Sequence, residues 1–252
     1  MILRSCSCDR LKVGGLTALV RNRGSGPPIV LLHGLGCSGR YFGALEAQLA
    51  TTHTVITPDL PGHGASDKPA DRMWRLVELT NWVALLIDHL ALGPPVVAGH
   101  SMGGGIAVDL AARHPGSTYG LVLLAPTGLP DMPPLAGQAL RIAIDGLREP
   151  FRLYPLIVPA YLRAGPRRIF RLALDQTHYG QRQALGRLRL PILVVRGTRD
   201  LVVTWELVDD ILHETHAAAY AEVPGAAHAP QVSHPLEVAD LIRRFAEHGV
   251  MP

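Results

Sequence analysis

Short apolar runs that alternate with helix-length segments constrain the fold of this 252-residue chain more than any other feature. Strands that alternate with helices form parallel sheets, because each crossover helix packs over one face of the sheet. A further run, Arg4–Val13, precedes Gly14-Gly15 and predicts an opening hairpin. We therefore expect an α/β fold with an eight-stranded, mostly parallel sheet and helices on both faces. The other seven predicted strands are Thr17–Arg21, Ile29–His33, Thr54–Pro58, Pro95–Gly99, Leu121–Ala125, Ile192–Arg196 and Ala219–Val223.

The regular alternation breaks between Gly128 and Arg189, where prolines, arginines and large apolar residues mix. We interpret residues 129–189 as an inserted helical lid, and residues 1–128 and 190–252 as one α/β core. A chain of this length that is 48% hydrophobic can bury a single large core, so a second domain is not required.

Composition and charge limit the classes of partner. The net charge of +3 is small and spread along the chain, so we do not expect nucleic acid binding. No apolar run could span a bilayer and the N-terminus lacks a secretory signal, which predicts a cytoplasmic protein without membrane anchoring. Cys6, Cys8 and Cys37 are too few for a disulfide framework, and Cys6-x-Cys8 has no second pair with zinc-type spacing. A monomer and a homodimer both stay open.

The pentapeptide Gly99-His100-Ser101-Met102-Gly103 lies between a buried apolar run and a helix-like segment. A serine on such a sharp strand-to-helix turn has an exposed hydroxyl close to the helix N-terminus. The glycines fit this geometry because the backbone is strained and its neighbours must come close. A glycine-rich turn with an ordinary exposed serine is the alternative, and the flanking strand and helix favour a nucleophile.

Three motifs carry a resemblance to a known superfamily. His33–Gly36, Asp59–Ser66 and Gly99–Gly104 resemble landmarks of the α/β-hydrolase fold, in their usual order, and the chain is similar to the serine esterase and lipase-like branch. Farther on, Gly197–Asp200 and Gly225–His228 resemble the acid-bearing and histidine-bearing turns of that superfamily. Some relatives carry the acid after an earlier strand, where this chain has Asp131.

A serine needs a base in hydrogen-bonding reach, normally an imidazole held by a carboxylate. Asp200 follows one predicted strand by a short turn and His228 follows the next, so we predict Ser101 as nucleophile, His228 as base and Asp200 as acid. The oxyanion needs backbone N–H donors. Met102, directly after the serine, should give one, and the resemblance implies Leu35 as the second.

A dinucleotide fingerprint is the strongest competing motif. Gly34–Gly39 fits Gly-x-Gly-x-x-Gly after an apolar strand, and Asp59 lies some twenty residues on. His33 before the first glycine and the opening hairpin argue against a nucleotide fold. A nicotinamide dehydrogenase would also leave Ser101 and His228 without a role.

Several reactions on the same fold remain possible. A serine at the turn excludes dehalogenases and epoxide hydrolases of the superfamily, which need a carboxylate there. Carbon–carbon bond hydrolases resemble this chain less, because His100 replaces their asparagine and Gly36-Cys37-Ser38 replaces their Gly-Pro-Gly. Lactone hydrolases, cofactor-free perhydrolases and a non-catalytic ligand-binding protein also stay open. We predict a metal-free and cofactor-free carboxylesterase that acts on small to medium hydrophobic esters.

The predicted lid should determine substrate preference, because it covers the nucleophile and loops of this kind carry specificity. Its apolar side chains suit an acyl chain or ring. As substrate-binding residues we predict Phe151, Tyr154, Leu156 and Tyr161. An arginine cluster in the same segment could hold a carboxylate or phosphate, or could form a solvated helix face. Its members are Arg163, Arg167, Arg168 and Arg171.

Overall fold

The computed structural model describes residues 6–69, 73–128, 135–178, 181–215 and 218–249. These residues form one eight-stranded sheet, which confirms the predicted α/β class. The strands are β1 (Cys6–Val13), β2 (Leu16–Arg23), β3 (Pro28–Leu32), β4 (Thr54–Pro58), β5 (Val96–His100), β6 (Gly120–Leu124), β7 (Ile192–Gly197) and β8 (Ala218–Val223). Their order is β1-β2-β4-β3-β5-β6-β7-β8, and β2 pairs antiparallel with both neighbours while all other pairs are parallel.

Helices cover both faces of the sheet. They are α1 (Gly43–Leu49), α2 (Leu76–Leu90), α3 (Met102–Arg113), α4 (Leu135–Gly146), α5 (Tyr154–Ala164), α6 (Pro166–His178), α7 (Gln181–Arg187), α8 (Trp205–Glu214), α9 (Pro230–Ser233) and α10 (Pro235–His248). Alternate residues of β3 enter different apolar clusters: Val30 and Leu32 pack with α2, α3 and α8, and Ile29 and Leu31 with α1 and α10. This alternation follows from the two-residue period of a strand.

The segment between β6 and β7 is mainly helical where the structure describes it, with short turns between its helices. The helices α4 to α7 fall within the predicted insertion at residues 129–189. Several of its apolar side chains face solvent, including Leu147 and Phe151. In the described part of the chain, no helix has the length and apolar character needed to cross a membrane.

The turns that carry the predicted chemistry all follow strands of the parallel part of the sheet. Leu35 lies after β3, Ser101 after β5, Asp200 after β7 and His228 after β8. Parallel strands end at the same edge, so side chains from distant parts of the chain meet there. Leu35 and His228 are 193 positions apart in the chain and line the same cavity. The topology explains how residues so distant in sequence form one site.

Asp59 closes the loop after β4 with a buried ion pair. Its Oδ1 accepts a hydrogen bond from Gly39 N–H at 2.8 Å and contacts Arg21 Nη1 at 3.0 Å, and its Oδ2 accepts one from Ala65 N–H at 2.8 Å. The side chain is almost fully buried. Both oxygens thus serve the loop itself, which argues against the ribose-binding role that the dinucleotide alternative requires of Asp59.

Replacing Asp59 with asparagine should lower the free energy of unfolding by about 3 kcal/mol, because Arg21 loses its charged partner in a half-buried site. Urea unfolding at neutral pH measures this change. Asp240→Asn is the matched control, since it breaks an exposed pair with Arg244 of 2.8 Å and should cost less than about 1 kcal/mol. Equal losses in the two variants would contradict the role of Asp59.

Candidate active site

The turn from β5 to α3 holds Ser101 in a strained conformation. Its φ is 53° and its ψ is −119°, a region that residues other than glycine rarely occupy. A Cβ on Gly99 would meet the carbonyl oxygen of Gly103, and a Cβ on Gly103 would meet the carbonyl oxygen of Leu32 in β3. Both glycines are therefore required for the close approach of the helix to the strands, as the sequence motif predicts.

Ser101, His228 and Asp200 lie in hydrogen-bond contact. His228 Nε2 is 3.2 Å from Ser101 Oγ, and His228 Nδ1 is 3.1 Å from Asp200 Oδ2. Asp200 Oδ1 also accepts hydrogen bonds from the Val202 and Val203 N–H groups at 2.7 and 3.0 Å. The structure thus brings the three predicted residues together in the predicted order. The competing acid, Asp131, lies outside the described residues.

The surroundings of His228 and Asp200 shift the pKa values of both groups. Burial alone would lower the pKa of His228, but the nearby carboxylates of Asp200, Asp145 and Glu149 raise it above the usual value of 6.5. Burial opposes ionisation of Asp200, and the imidazole together with two backbone N–H groups outweighs it, so the pKa of Asp200 is lowered. An ionised Asp200 can orient the imidazole and stabilise its protonated form.

His100 links the serine turn to two other parts of the site. Its Nε2 lies 2.8 Å from the carbonyl oxygen of His228, and its Nδ1 lies 2.8 Å from Tyr41 Oη. Burial lowers the pKa of His100 to about 3, so the ring is neutral. A neutral ring that donates from Nε2 accepts at Nδ1, and Tyr41 therefore donates to His100 while accepting the Gly34 N–H at 2.9 Å.

The two predicted oxyanion donors lie beside the serine. Met102 is the first residue of α3, so its N–H has no acceptor within the helix. Leu35 follows Gly34 in the turn after β3 and lines the same cavity as Ser101. His33 fixes this turn, because its Nδ1 lies 2.9 Å from the Gly34 carbonyl oxygen and its Nε2 accepts the Leu60 N–H at 3.0 Å.

Thr127 is a neighbour of the serine that the sequence reading missed. Its Oγ1 lies 3.2 Å from Ser101 Oγ and donates to Gln176 Oε1 at 3.0 Å. Because the threonine proton goes to Gln176, the threonine oxygen can only accept from the serine. The Ser101 hydroxyl thus has two competing acceptors, Thr127 and His228. Thr127 lies three residues after the end of β6, a position that the sequence could have indicated, but no sequence pattern indicates its contact with Gln176 of α6.

A cavity of about 130 Å³ adjoins Ser101 and His228. Tyr161 lines it, as predicted. The structure places the other three predicted substrate residues away from the lining: Phe151 is 87% exposed, Tyr154 donates its hydroxyl to the Gly146 carbonyl oxygen at 2.6 Å, and Leu156 packs against the apolar core. Three further apolar side chains of the predicted lid line the cavity, as the sequence led us to expect of that segment: Ile142, Leu153 and Ile157. Lining residues that the sequence did not indicate include Cys37, Tyr41, Asp145 and Glu149.

The cavity lining is acidic. It contains Asp145 and Glu149, and no lysine or arginine among the described residues. Burial raises the pKa of Glu149 to about 7. The hydrogen bond from the Ala229 N–H opposes this shift, and the nearby carboxylates of Asp145 and Asp200 add to it. Glu149 Oε1 accepts that N–H at 2.6 Å. No local sequence pattern marks these two acids, because their importance depends on where the segment packs.

The arginine cluster lies elsewhere. Arg163 lines a separate groove with Arg21 and Asp59, and Arg171 lines another with Trp74. The Arg168 guanidinium packs over Gly62, so a Cβ there would clash with it. Arg167 is exposed. This arrangement favours a structural or solvated role for the cluster over a clamp on an anionic substrate.

Comparison with known proteins agrees with the fold and the motifs. The sequence model of the alpha/beta hydrolase family matches residues 29–241. Pimeloyl-[acyl-carrier protein] methyl ester esterase of Chromobacterium violaceum is 31% identical over 259 residues, which cover 92% of this chain and 98% of that protein. An esterase from Exiguobacterium antarcticum superposes with a TM-score of 0.84 at 18% identity, covering 96% of this chain and 100% of that one.

A solved N-acyl homoserine lactone degrading enzyme superposes with a TM-score of 0.79 at 28% identity and covers 94% of this chain and 100% of that one. The family match spans well over half of the chain. Two of these three proteins are named esterases and the third degrades a lactone, which agrees with the sequence resemblance. The chain therefore belongs to the alpha/beta hydrolase family.

Proposed function

We propose that the protein is a serine carboxylesterase that cleaves small to medium hydrophobic esters through a covalent acyl-enzyme. The observation that carries this proposal is the contact of Ser101 Oγ with His228 Nε2, in series with Asp200, at the wall of a largely apolar cavity. A buried serine, imidazole and carboxylate in this sequence can activate a hydroxyl that is otherwise a poor nucleophile.

The reaction follows from this arrangement. Ser101 Oγ attacks the ester carbonyl carbon while its proton passes to His228 Nε2, and the negative charge on the carbonyl oxygen is stabilised by the Leu35 and Met102 N–H groups. The carbon–oxygen bond then breaks, and the alcohol leaves with the proton from His228. Water loses a proton to His228 and attacks the acyl group, which releases the carboxylic acid and restores the serine.

Residues 129–189 act as a lid in this proposal. Support comes from Ile142, Leu153, Ile157 and Tyr161, which all belong to this segment and line the cavity beside the serine. They give the acyl group apolar contacts, while the polar groups lie close to Ser101.

Lactone hydrolysis is the second candidate function. It is favoured by the structural similarity to the N-acyl homoserine lactone degrading enzyme, which is 28% identical. A lactone is a cyclic ester, so the same serine, histidine and oxyanion donors would open it. A panel of open-chain esters and lactones of equal carbon number separates the two candidates by their relative kcat/KM.

Ser101→Ala should abolish the burst and the turnover of a nitrophenyl ester, because no acyl-enzyme can form. Stopped-flow absorbance of nitrophenol measures both phases. Ser25→Ala is the matched control, since Ser25 lies exposed in the loop between β2 and β3. Mass spectrometry should find a fluorophosphonate adduct on Ser101 in the wild type. Undiminished turnover in Ser101→Ala would exclude the proposed nucleophile.

The acid limb of kcat/KM should report His228, which must be neutral to act as a base. Since its pKa is raised, activity should fall as pH drops through a midpoint above 6.5. Asp200→Asn removes the neighbouring negative charge, so the midpoint should move to lower pH, with a loss of kcat on the order of 1,000-fold or more. A midpoint that stays in place in Asp200→Asn would show that another group controls the limb.

The cavity volume predicts a preference for short acyl groups. At about 130 Å³ it is similar to an engineered protein cavity of roughly 150 Å³ that holds benzene, so an acyl group of about six heavy atoms should fit. Ile157→Ala should raise the ratio of kcat/KM for octanoyl over butyryl ester by about tenfold. Phe170→Ala, at a 60% exposed position, should leave this ratio unchanged. The same ratio in both variants would contradict the assignment of the cavity.

A further inference from the structure

Asp145 connects the two loops that carry the proposed acid and base. Its Oδ1 accepts a hydrogen bond from the Leu201 N–H at 2.9 Å, and its Oδ2 accepts one from the His228 N–H at 2.9 Å. Leu201 directly follows Asp200 in the chain. Only 1% of Asp145 is exposed, although it comes from α4 in the inserted segment and not from the sheet.

Neighbouring residues strengthen the same connection. Arg148 Nη1 donates to the Arg199 carbonyl oxygen at 3.1 Å, on the loop that carries the acid. Glu149 Oε1 accepts the Ala229 N–H at 2.6 Å, on the loop that carries His228. The end of α4 and the turn after it therefore hold both loops at four backbone groups.

We propose that Asp145 is a positioning residue, which fixes the Asp200 and His228 loops at the separation that their side-chain hydrogen bond requires. This inference rests on the proposed function. It assigns the inserted segment a part in the arrangement of the catalytic groups, in addition to covering the pocket.

The geometry explains why a carboxylate is needed at this position. Two N–H donors on different loops point at one side chain, and a carboxylate has an acceptor oxygen for each. An asparagine of the same shape has one acceptor oxygen, and its NH₂ group would face the second N–H donor. One loop would then lose its buried acceptor, and a displacement of about 1 Å at a catalytic group can cost on the order of 100-fold in rate.

Asp145 also acts on the charge of His228. The ionisable groups that face this imidazole are Asp200 from the loop after β7, Asp145 and Glu149 from the inserted segment, and His100 from β5. His100 is neutral, so the acidic groups outweigh burial and raise the pKa of His228, with Asp200 the largest contributor. Within the described residues, no group of three or more His, Cys, Asp or Glu side chains is placed to bind a metal ion. The two acids of the inserted segment instead accept backbone hydrogen bonds, Asp145 from the His228 N–H and Glu149 from the Ala229 N–H.

The test compares Asp145→Asn with Asp240→Asn, which removes one negative charge from an exposed ion pair on α10. Histidine-selective NMR gives the pKa of His228, assigned by its loss in His228→Gln, and requires no substrate. We expect this pKa to fall in Asp145→Asn and to stay at the wild-type value in Asp240→Asn. We also expect kcat for a nitrophenyl ester to fall about 10- to 100-fold, with a smaller change in KM.

An unchanged His228 pKa together with an unchanged kcat in Asp145→Asn would overturn the proposal. A loss of kcat that only follows a loss of thermal stability, with the pKa in place, would do the same. If the variant does not fold, amide exchange in the wild type decides: slow exchange of the Leu201 and His228 N–H groups supports the contact, and fast exchange excludes it. If the wild type cleaves no ester, the proposed function fails, and the NMR result still tests Asp145.

Discussion

The strained backbone at Ser101 is the constraint on which the rest of this structure depends. A positive φ at a residue with a side chain costs on the order of 1–3 kcal/mol and persists only when the surroundings enforce it. Here the surroundings are Gly99 and Gly103, which let α3 approach β5 and β3 so closely that no Cβ fits at either glycine. The same approach brings the turn after β3 beside the serine. One tight turn thus positions both the proposed nucleophile and the proposed oxyanion donors.

Much of the fold could be predicted from the sequence, because local patterns determine it. Apolar runs mark β3 to β7, which are buried on both faces, and glycine-rich turns mark their ends. Parallel strands finish at one edge of a sheet, so a serine, an acid and a histidine that each follow a strand lie on the same edge and can meet there. That rule, the order of the motifs and the resemblance to the superfamily together led to Ser101, Asp200 and His228, which the structure brings into contact.

The parts that could not be predicted depend on how the inserted helices pack. Hydropathy cannot tell which face of an amphipathic helix points toward the serine, and for that reason Phe151 seemed as good a substrate contact as Tyr161. Asp145 has the same difficulty, because a single acid in a helix usually faces solvent. Its two backbone partners are 56 and 83 residues away in the chain, and no spacing rule reaches that far.

In the proposed reaction, the two acidic side chains of the cavity lining affect release of the product more than entry of the substrate. In the proposed reaction an ester enters without charge, but hydrolysis leaves a carboxylate beside Asp145 and Glu149, with no lysine or arginine in the described lining to hold it. Repulsion between like charges in a partly buried site is strong, so the acid should leave more readily than the ester from which it came. Under the proposed function, these two acids thus let the cavity discriminate between substrate and product by charge.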